Sequence, residues 1–238
     1  LRFVILPMYR LFLLILLFSC TGKKEAAPLI PVTPPPGGQT SKSWLALGDS
    51  YTIGQGVEEA GRFPTQTANL LRGGGINTNA PTYIAATGWT TTALQSAITA
   101  QQPGFYDVVS LLIGVNDQYQ TRDTTGYRQR FTVLLQKAIE LTRGRPSHVF
   151  VLSIPDYSVT PFAAFSDTAR IRQQIDWFNA INKQVTQQYN CPYLDITPST
   201  REARTNPALL ATDGLHPSAL EYRRWADRLS VLMLPVLR

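Results

Sequence analysis

Five short apolar runs, at 44–47, 83–86, 108–113, 149–154 and 193–196, are separated by segments whose apolar residues recur every three or four positions. That alternation limits the fold more than anything else in the chain. Runs of four to six residues with almost no polar interruption are strands buried on both faces, because a strand with one wet face would alternate. Between them, 127–141 brings Phe131, Leu134, Leu135, Ala138 and Leu141 onto one helical face, and 171–189 does the same with Ile171, Ile175, Phe178, Ile181 and Val185. A last helix is expected to bury Leu220, Trp225, Leu229 and Leu232 and to stop at Pro235, whose ring lacks an N–H and clashes with the preceding turn. The glycines at 73–75 read as a helix stop and turn. Buried strands alternating with helices imply an α/β fold. The expectation is a single doubly wound, three-layer α/β/α domain over 44–238, built on a mostly parallel five-stranded sheet. An apolar content of 44% is enough to fill its core.

The first 43 residues have neither pattern. Residues 1–20 carry Arg2 and Arg10 but no acid, then eight apolar residues from Leu11 to Phe18, then Ser19 and Cys20. This is the layout of a signal peptide, and it falls short of the about 20 apolar residues that span a bilayer. The tetrad at 17–20 resembles the bacterial lipoprotein box, which makes Cys20 the expected lipidation site and a membrane the expected partner of an exported chain. Residues 21–43, with prolines at 28, 31 and 34–36 and glycines at 37 and 38, read as a Pro/Gly-rich linker that cannot pack a core.

Charge then excludes a class of partner. The formal net charge is +6, from 22 Lys and Arg against 16 Asp and Glu. Residues 1–43 hold five of those bases and one of the acids, so the domain keeps 17 bases and 15 acids. A nearly neutral domain gives no electrostatic case for nucleic acid. Two Cys and two His also cannot form a zinc ribbon, an iron–sulfur site or a disulfide scaffold.

Ligands of open parallel sheets bind beyond the carboxyl ends of the strands, so the residues that follow each run are the ones to read. They are Gly48-Asp49-Ser50, Thr87-Gly88-Trp89, Gly114-Val115-Asn116-Asp117, Pro155-Asp156-Tyr157 and, a little after the fifth run, Asp213-Gly214-Leu215-His216. His148 opens the fourth strand and therefore lies at the opposite edge, which leaves His216 as the candidate general base. A serine hydroxyl such as that of Ser50 needs such a base within hydrogen-bond reach to become a nucleophile. Asp213 is placed to accept the other ring N–H and fix the tautomer, with Asp195 and Asp156 as alternatives. The Ser50 amide, the Gly88 amide and the Asn116 carboxamide are candidate donors to a developing oxyanion.

At these residues the chain resembles the SGNH (GDSL-type) hydrolases. The resemblance rests on Gly-Asp-Ser-Tyr at 48–51, the glycine at 88, Gly-Val-Asn-Asp at 114–117 and Asp-Gly-Leu-His at 213–216, four blocks in the family's order along the whole domain. It implies a flavodoxin-like three-layer fold and esterase or lipase chemistry without metal or cofactor. It assigns Ser50 as nucleophile, His216 as base, Asp213 as its partner, and Gly88 and Asn116 as oxyanion donors. The implied substrate is a small-molecule, lipid or carbohydrate ester.

Each assignment has a plainer competitor. Ser50 is a fair helix N-cap, Asn116 a fair turn residue and Gly88 a fair turn glycine. Asp49 and Asp117 flank the site and are expected only to hold its loops. Trp89, Tyr51, Tyr119 and Tyr157 follow strand ends and either line a pocket or pack the core. Cys191 is expected to be a buried thiol and His148 structural. A surface lipoprotein that binds a glycan or lipid in the same crevice without cleaving it is the second function class. A nucleotide-binding module is the third, disfavoured because the chain lacks a Gly-rich phosphate loop.

Overall fold

The computed structural model describes residues 40–238; the expected signal peptide, the lipidation site at Cys20 and the linker up to residue 39 lie outside the described residues. The five apolar runs are strands: β1 Trp44–Gly48, β2 Thr82–Ala85, β3 Val108–Leu112, β4 Val149–Leu152 and β5 Tyr193–Leu194. All pairings are parallel, in the order β2-β1-β3-β4-β5. Every residue of β1, β3 and β4 is buried, as unbroken apolar runs require, whereas the edge strand β2 is partly exposed. The chain winds outward in one direction from β1 to β2 and in the other from β3 to β5, so the crevice between the ends of β1 and β3 is the switch point.

Among the described residues eight α-helices accompany the sheet: α1 Ser50–Ile53, α2 Phe63–Gly73, α3 Thr91–Gln101, α4 Val115–Gln120, α5 Thr124–Leu141, α6 Thr168–Gln188, α7 Thr197–Arg201 and α8 Ala219–Leu237. α2 pairs with α8, and α5 packs on both α3 and α6, which gives the three layers. The expected faces of α5 hold: Tyr127, Phe131, Leu134, Leu135, Ala138 and Leu141 are all buried. α2 ends at Gly73, and Gly75 turns the chain at φ 85°.

The last helix departs from expectation in two ways. It buries Tyr222, Trp225, Ala226, Leu229, Met233 and Leu237, while Leu220 is 53% and Leu232 37% exposed. Leu220 precedes Trp225 by five residues, about 140° around a helix, so the two cannot share a narrow stripe. The stripe is set instead by α2, whose Phe63 ring lies 5.8 Å from that of Trp225 and 6.2 Å from that of Tyr222. The helix also runs through Pro235 to Leu237. Within the final turn a proline forfeits little, and the buried Leu237 beyond it anchors the end in the core.

The folded unit starts ahead of Trp44. The Lys42 amide donates to Asn77 O at 2.7 Å, and Asn79 N donates to Lys42 O at 2.9 Å. The Ser43 amide and hydroxyl both donate to Asp107 Oδ2, at 2.8 and 2.9 Å. Two residues that read as linker are therefore tied into the domain.

Candidate active site

β1 ends at Gly48, where a Cβ would stand 2.4 Å from Leu112 O of β3, so only glycine lets the two strand ends come together. α1 starts two residues later. Its N-cap is Asp49, whose Oδ1 accepts the Tyr51 amide at 3.0 Å. Capping by Asp49 leaves the Ser50 hydroxyl free for another partner, and that partner is the imidazole of His216, with Nε2 2.9 Å from Ser50 Oγ.

The loop before α8 holds the imidazole from behind. Asp213 Oδ1 accepts the amides of Leu215 at 3.0 Å and His216 at 2.9 Å, while Oδ2 lies 2.7 Å from His216 Nδ1. Burial works against the charge on Asp213, but the two amides and the imidazole outweigh it and hold the carboxyl below the ordinary carboxylate range. An ionised carboxylate can only accept, so Nδ1 carries the ring proton and Nε2 turns its lone pair to the serine. The Tyr51 ring packs 4.8 Å from the imidazole. The other two candidate partners are engaged elsewhere. Asp195 accepts from Ser153 Oγ at 3.0 Å, and the buried Asp156 pairs with Arg201 Nε at 2.8 Å.

α4 brings Asn116 to the same place from the end of β3. Its Nδ2 donates to Trp89 O at 3.1 Å, which fixes the plane of the carboxamide with one of its two N–H groups. Gly88 stands at the end of β2 with φ 78°, a conformation that favours glycine, and its carbonyl accepts from Gln120 Nε2 of α4 at 3.1 Å. The loop after β2 and the helix after β3 are thus bonded to each other. Ser50, Asn116 and His216 line one open cleft. Gly88 is exposed beside it and is not among its lining residues.

The two flanking carboxylates differ. Asp117 accepts the Thr91 amide and hydroxyl at 2.8 and 2.6 Å and Arg130 Nη2 at 3.2 Å, which locks α3, α4 and α5 together. Asp49 is fully buried, and burial, with Asp117 nearby, pushes its carboxyl up to about 8 despite the Tyr51 amide. Of the four aromatic residues after strand ends, Tyr51, Tyr119 and Tyr157 line the cleft, whereas Trp89 packs against the core and contributes its carbonyl. Val115, Phe162 and Leu215 line it too. Phe162 sits in the long connection between β4 and α6, well past the strand end, where nothing in the sequence marks it. His148 Nδ1 lies 2.7 Å from Asp107 O at the far edge of the sheet. Burial pushes the Cys191 thiol up to about 12, so it stays protonated.

The family model described as "GDSL-like Lipase/Acylhydrolase family" matches residues 46–224, from β1 through the Asp213–His216 loop into α8. The chain belongs to that family. It is a carboxylic ester hydrolase, and none of the curated proteins matches its sequence. Solved structures share the fold of this GDSL-like hydrolase. A lipase/acylhydrolase from Enterococcus faecalis has 17% identity and a TM-score of 0.64, over 83% of this chain and 97% of its own. A putative GDSL-like lipase from Parabacteroides merdae has 20% identity and a TM-score of 0.63, over 82% and 98%. An acetylxylan esterase from Geobacillus stearothermophilus has 20% identity and a TM-score of 0.59, over 82% and 94%.

Proposed function

We propose that this GDSL-like hydrolase cleaves uncharged carboxylic esters through an acyl-enzyme on Ser50. The observation that carries the proposal is the run of contacts from Ser50 Oγ to His216 Nε2, 2.9 Å, and from His216 Nδ1 to Asp213 Oδ2, 2.7 Å. Oγ attacks the ester carbonyl while His216 Nε2 takes the hydroxyl proton, and the carbonyl electron pair moves onto oxygen. The ionised Asp213 stabilises the imidazolium that results. The tetrahedral intermediate collapses, the ester C–O bond breaks, and the imidazolium returns its proton to the departing alcohol. Water, deprotonated by the same nitrogen, then attacks the acyl-serine; the acyl C–Oγ bond breaks, the acid leaves, and the imidazolium returns its proton to Ser50 Oγ.

The oxyanion receives three donors in this scheme. The Ser50 amide belongs to the first turn of α1 and has no partner within the helix. The Gly88 amide is not used by the hydrogen bonds of its own turn among the described residues. The second N–H of Asn116 is available, since Trp89 O takes only one. Apart from the imidazole, no ionisable group except the tyrosine phenols lines the cleft, so the ester it admits is neutral around the carbonyl. The acetylxylan esterase among the fold neighbours makes acetylated carbohydrate one substrate to try. Export by the leader and tethering through lipid on Cys20 complete the proposal, with the linker as spacer.

Ser50→Ala should abolish both hydrolysis of activated short esters and covalent labelling by a serine-directed phosphonate, with the circular dichroism spectrum unchanged. Hydrolysis at the native rate in that variant would overturn the mechanism. Asn116→Ala should lower kcat by roughly 10²–10³-fold if the carboxamide serves the oxyanion. An unchanged kcat removes it from that role.

A further inference from the structure

Behind the catalytic cleft lies a second, narrow cavity, and the two share three walls: Tyr51, Tyr157 and Leu215. Beyond them the second cavity is lined mainly by apolar groups, among them Ala203, Leu209, Leu210 and Pro217. We propose that Tyr157, with Leu215, is the partition that limits the acyl arm of the ester to short chains, about acetyl to butyryl. The proposal rests on the ester hydrolysis argued above and adds a substrate class to it.

The partition is held in place rather than poised to swing. Tyr157 is 6% exposed and opens a 3-10 turn, Tyr157–Val159, whose N-cap Asp156 accepts the Ser158 amide at 2.9 Å. Asp156 is itself anchored on both sides, by its pair with Arg201 and by its amide donating to Thr200 Oγ1 at 3.1 Å. The Tyr157 ring is braced by two others, Tyr119 from α4 at 6.2 Å and Phe162 at 6.1 Å, both edge-on. Leu215 is fixed by its amide bond to Asp213. A chain that needed to pass this wall would have to displace a buried ring held through its backbone and packed in a triangle of rings with Tyr119 and Phe162.

The arm that meets the wall is the acyl arm by the following chemistry. The two arms of an ester leave the carbonyl in opposite directions, and the alcohol must take the open side of the cleft, because it departs first and water enters in its place. What remains inside is a group that ends there. Aromatic and aliphatic walls with no charge but the imidazole suit a terminal hydrocarbon and not a polyol or a phosphate.

The test is a set of 4-nitrophenyl esters from acetyl to octanoyl, with acetyl esters of larger alcohols as the second axis. For the wild-type protein, kcat/KM should fall by at least roughly tenfold from butyryl to octanoyl, since a methylene that does not fit costs about that much or more. It should change little as the alcohol grows. Tyr157→Ala should join the two cavities and raise the octanoyl-to-acetyl ratio by at least roughly tenfold, and adding Ala203→Leu to fill the space beyond should reverse the gain. Tyr157→Leu gives the same comparison at smaller volume change should the alanine variant not fold. Octanoyl esters cleaved by the wild type as well as acetyl esters, a size limit on the alcohol arm alone, an unaltered ratio in a folded Tyr157 variant, or a gain that Ala203→Leu leaves intact would each overturn the partition. Absence of turnover on every ester, unlike any of these, would count against the reaction itself.

Discussion

Asp49 shows how much one residue next to Ser50 can carry. Its Oδ1 caps α1, while its Oδ2 is buried with no hydrogen-bond partner among the described residues. A carboxylate so placed costs too much to keep ionised, which is why burial raises it to about 8 against an ordinary carboxyl near 4. Between about pH 4 and pH 8 the folded chain therefore keeps a proton that the unfolded chain has lost. Stability is fully present below that window and falls as pH rises through it, by at most about 1.4 kcal/mol per pH unit. Asp49→Asn keeps the capping oxygen and has nothing to titrate. Urea unfolding at pH 5 and pH 8 should show a smaller loss in the variant than in the wild type, and equal losses would mean that Asp49 is ionised in the fold. At this scale the sequence names the residue types well. Ser50, Asn116 and His216 meet as their motifs suggest, and Asp213 rather than Asp156 or Asp195 reaches the imidazole. The spacing of three residues from the imidazole and the family resemblance both pointed to Asp213, and what the folded loop adds is that Asp156 and Asp195 are engaged elsewhere.

At the scale of elements, periodicity located all five strands and the long helices, and missed where the phase depends on a neighbour. α8 is the example: its buried stripe is set by Phe63 of α2, and its end by Leu237 rather than by Pro235. Proline at 235 still removes one N–H from the ladder and crowds the carbonyl four residues before it. Pro235→Ala should therefore stabilise the protein, by about 1 kcal/mol given its place in the last turn, as read from urea midpoints. A lower midpoint would mean that the ring's packing outweighs the strain. The connection from β4 to α6 is the other place where local pattern failed. It supplies Tyr157, which follows the strand end, and Phe162, which no pattern marks; its 3-10 turns have no period to detect and are held through Asp156 by Arg201 and Thr200, more than 40 residues further along the chain.

For the molecule as a whole, polarity is the main result. The sheet puts Ser50, Asn116 and His216 at the carboxyl ends of its strands, and Lys42, Ser43 and His148 at the amino ends. The described residues thus begin at the edge of the sheet away from the cleft. A chain beginning at residue 40 should fold and keep the esterase activity of the longer one. Starting at Trp44 removes the bonds from Lys42 and Ser43 and strands Asp107 Oδ2, so stability should drop by about 1–3 kcal/mol. Equal urea midpoints for the two chains would place the true boundary at Trp44.

The sequence by itself determined the layered α/β architecture, since short unbroken apolar runs alternating with helices imply a parallel sheet with helices on each side. It also left His216 as the one candidate base, because the other histidine, His148, stands at the wrong end of a strand. The tertiary structure alone decided how α8 is rotated and which aromatic rings wall the cleft. Those outcomes depend on contacts between residues far apart in the chain, where spacing along the sequence says nothing about distance in space.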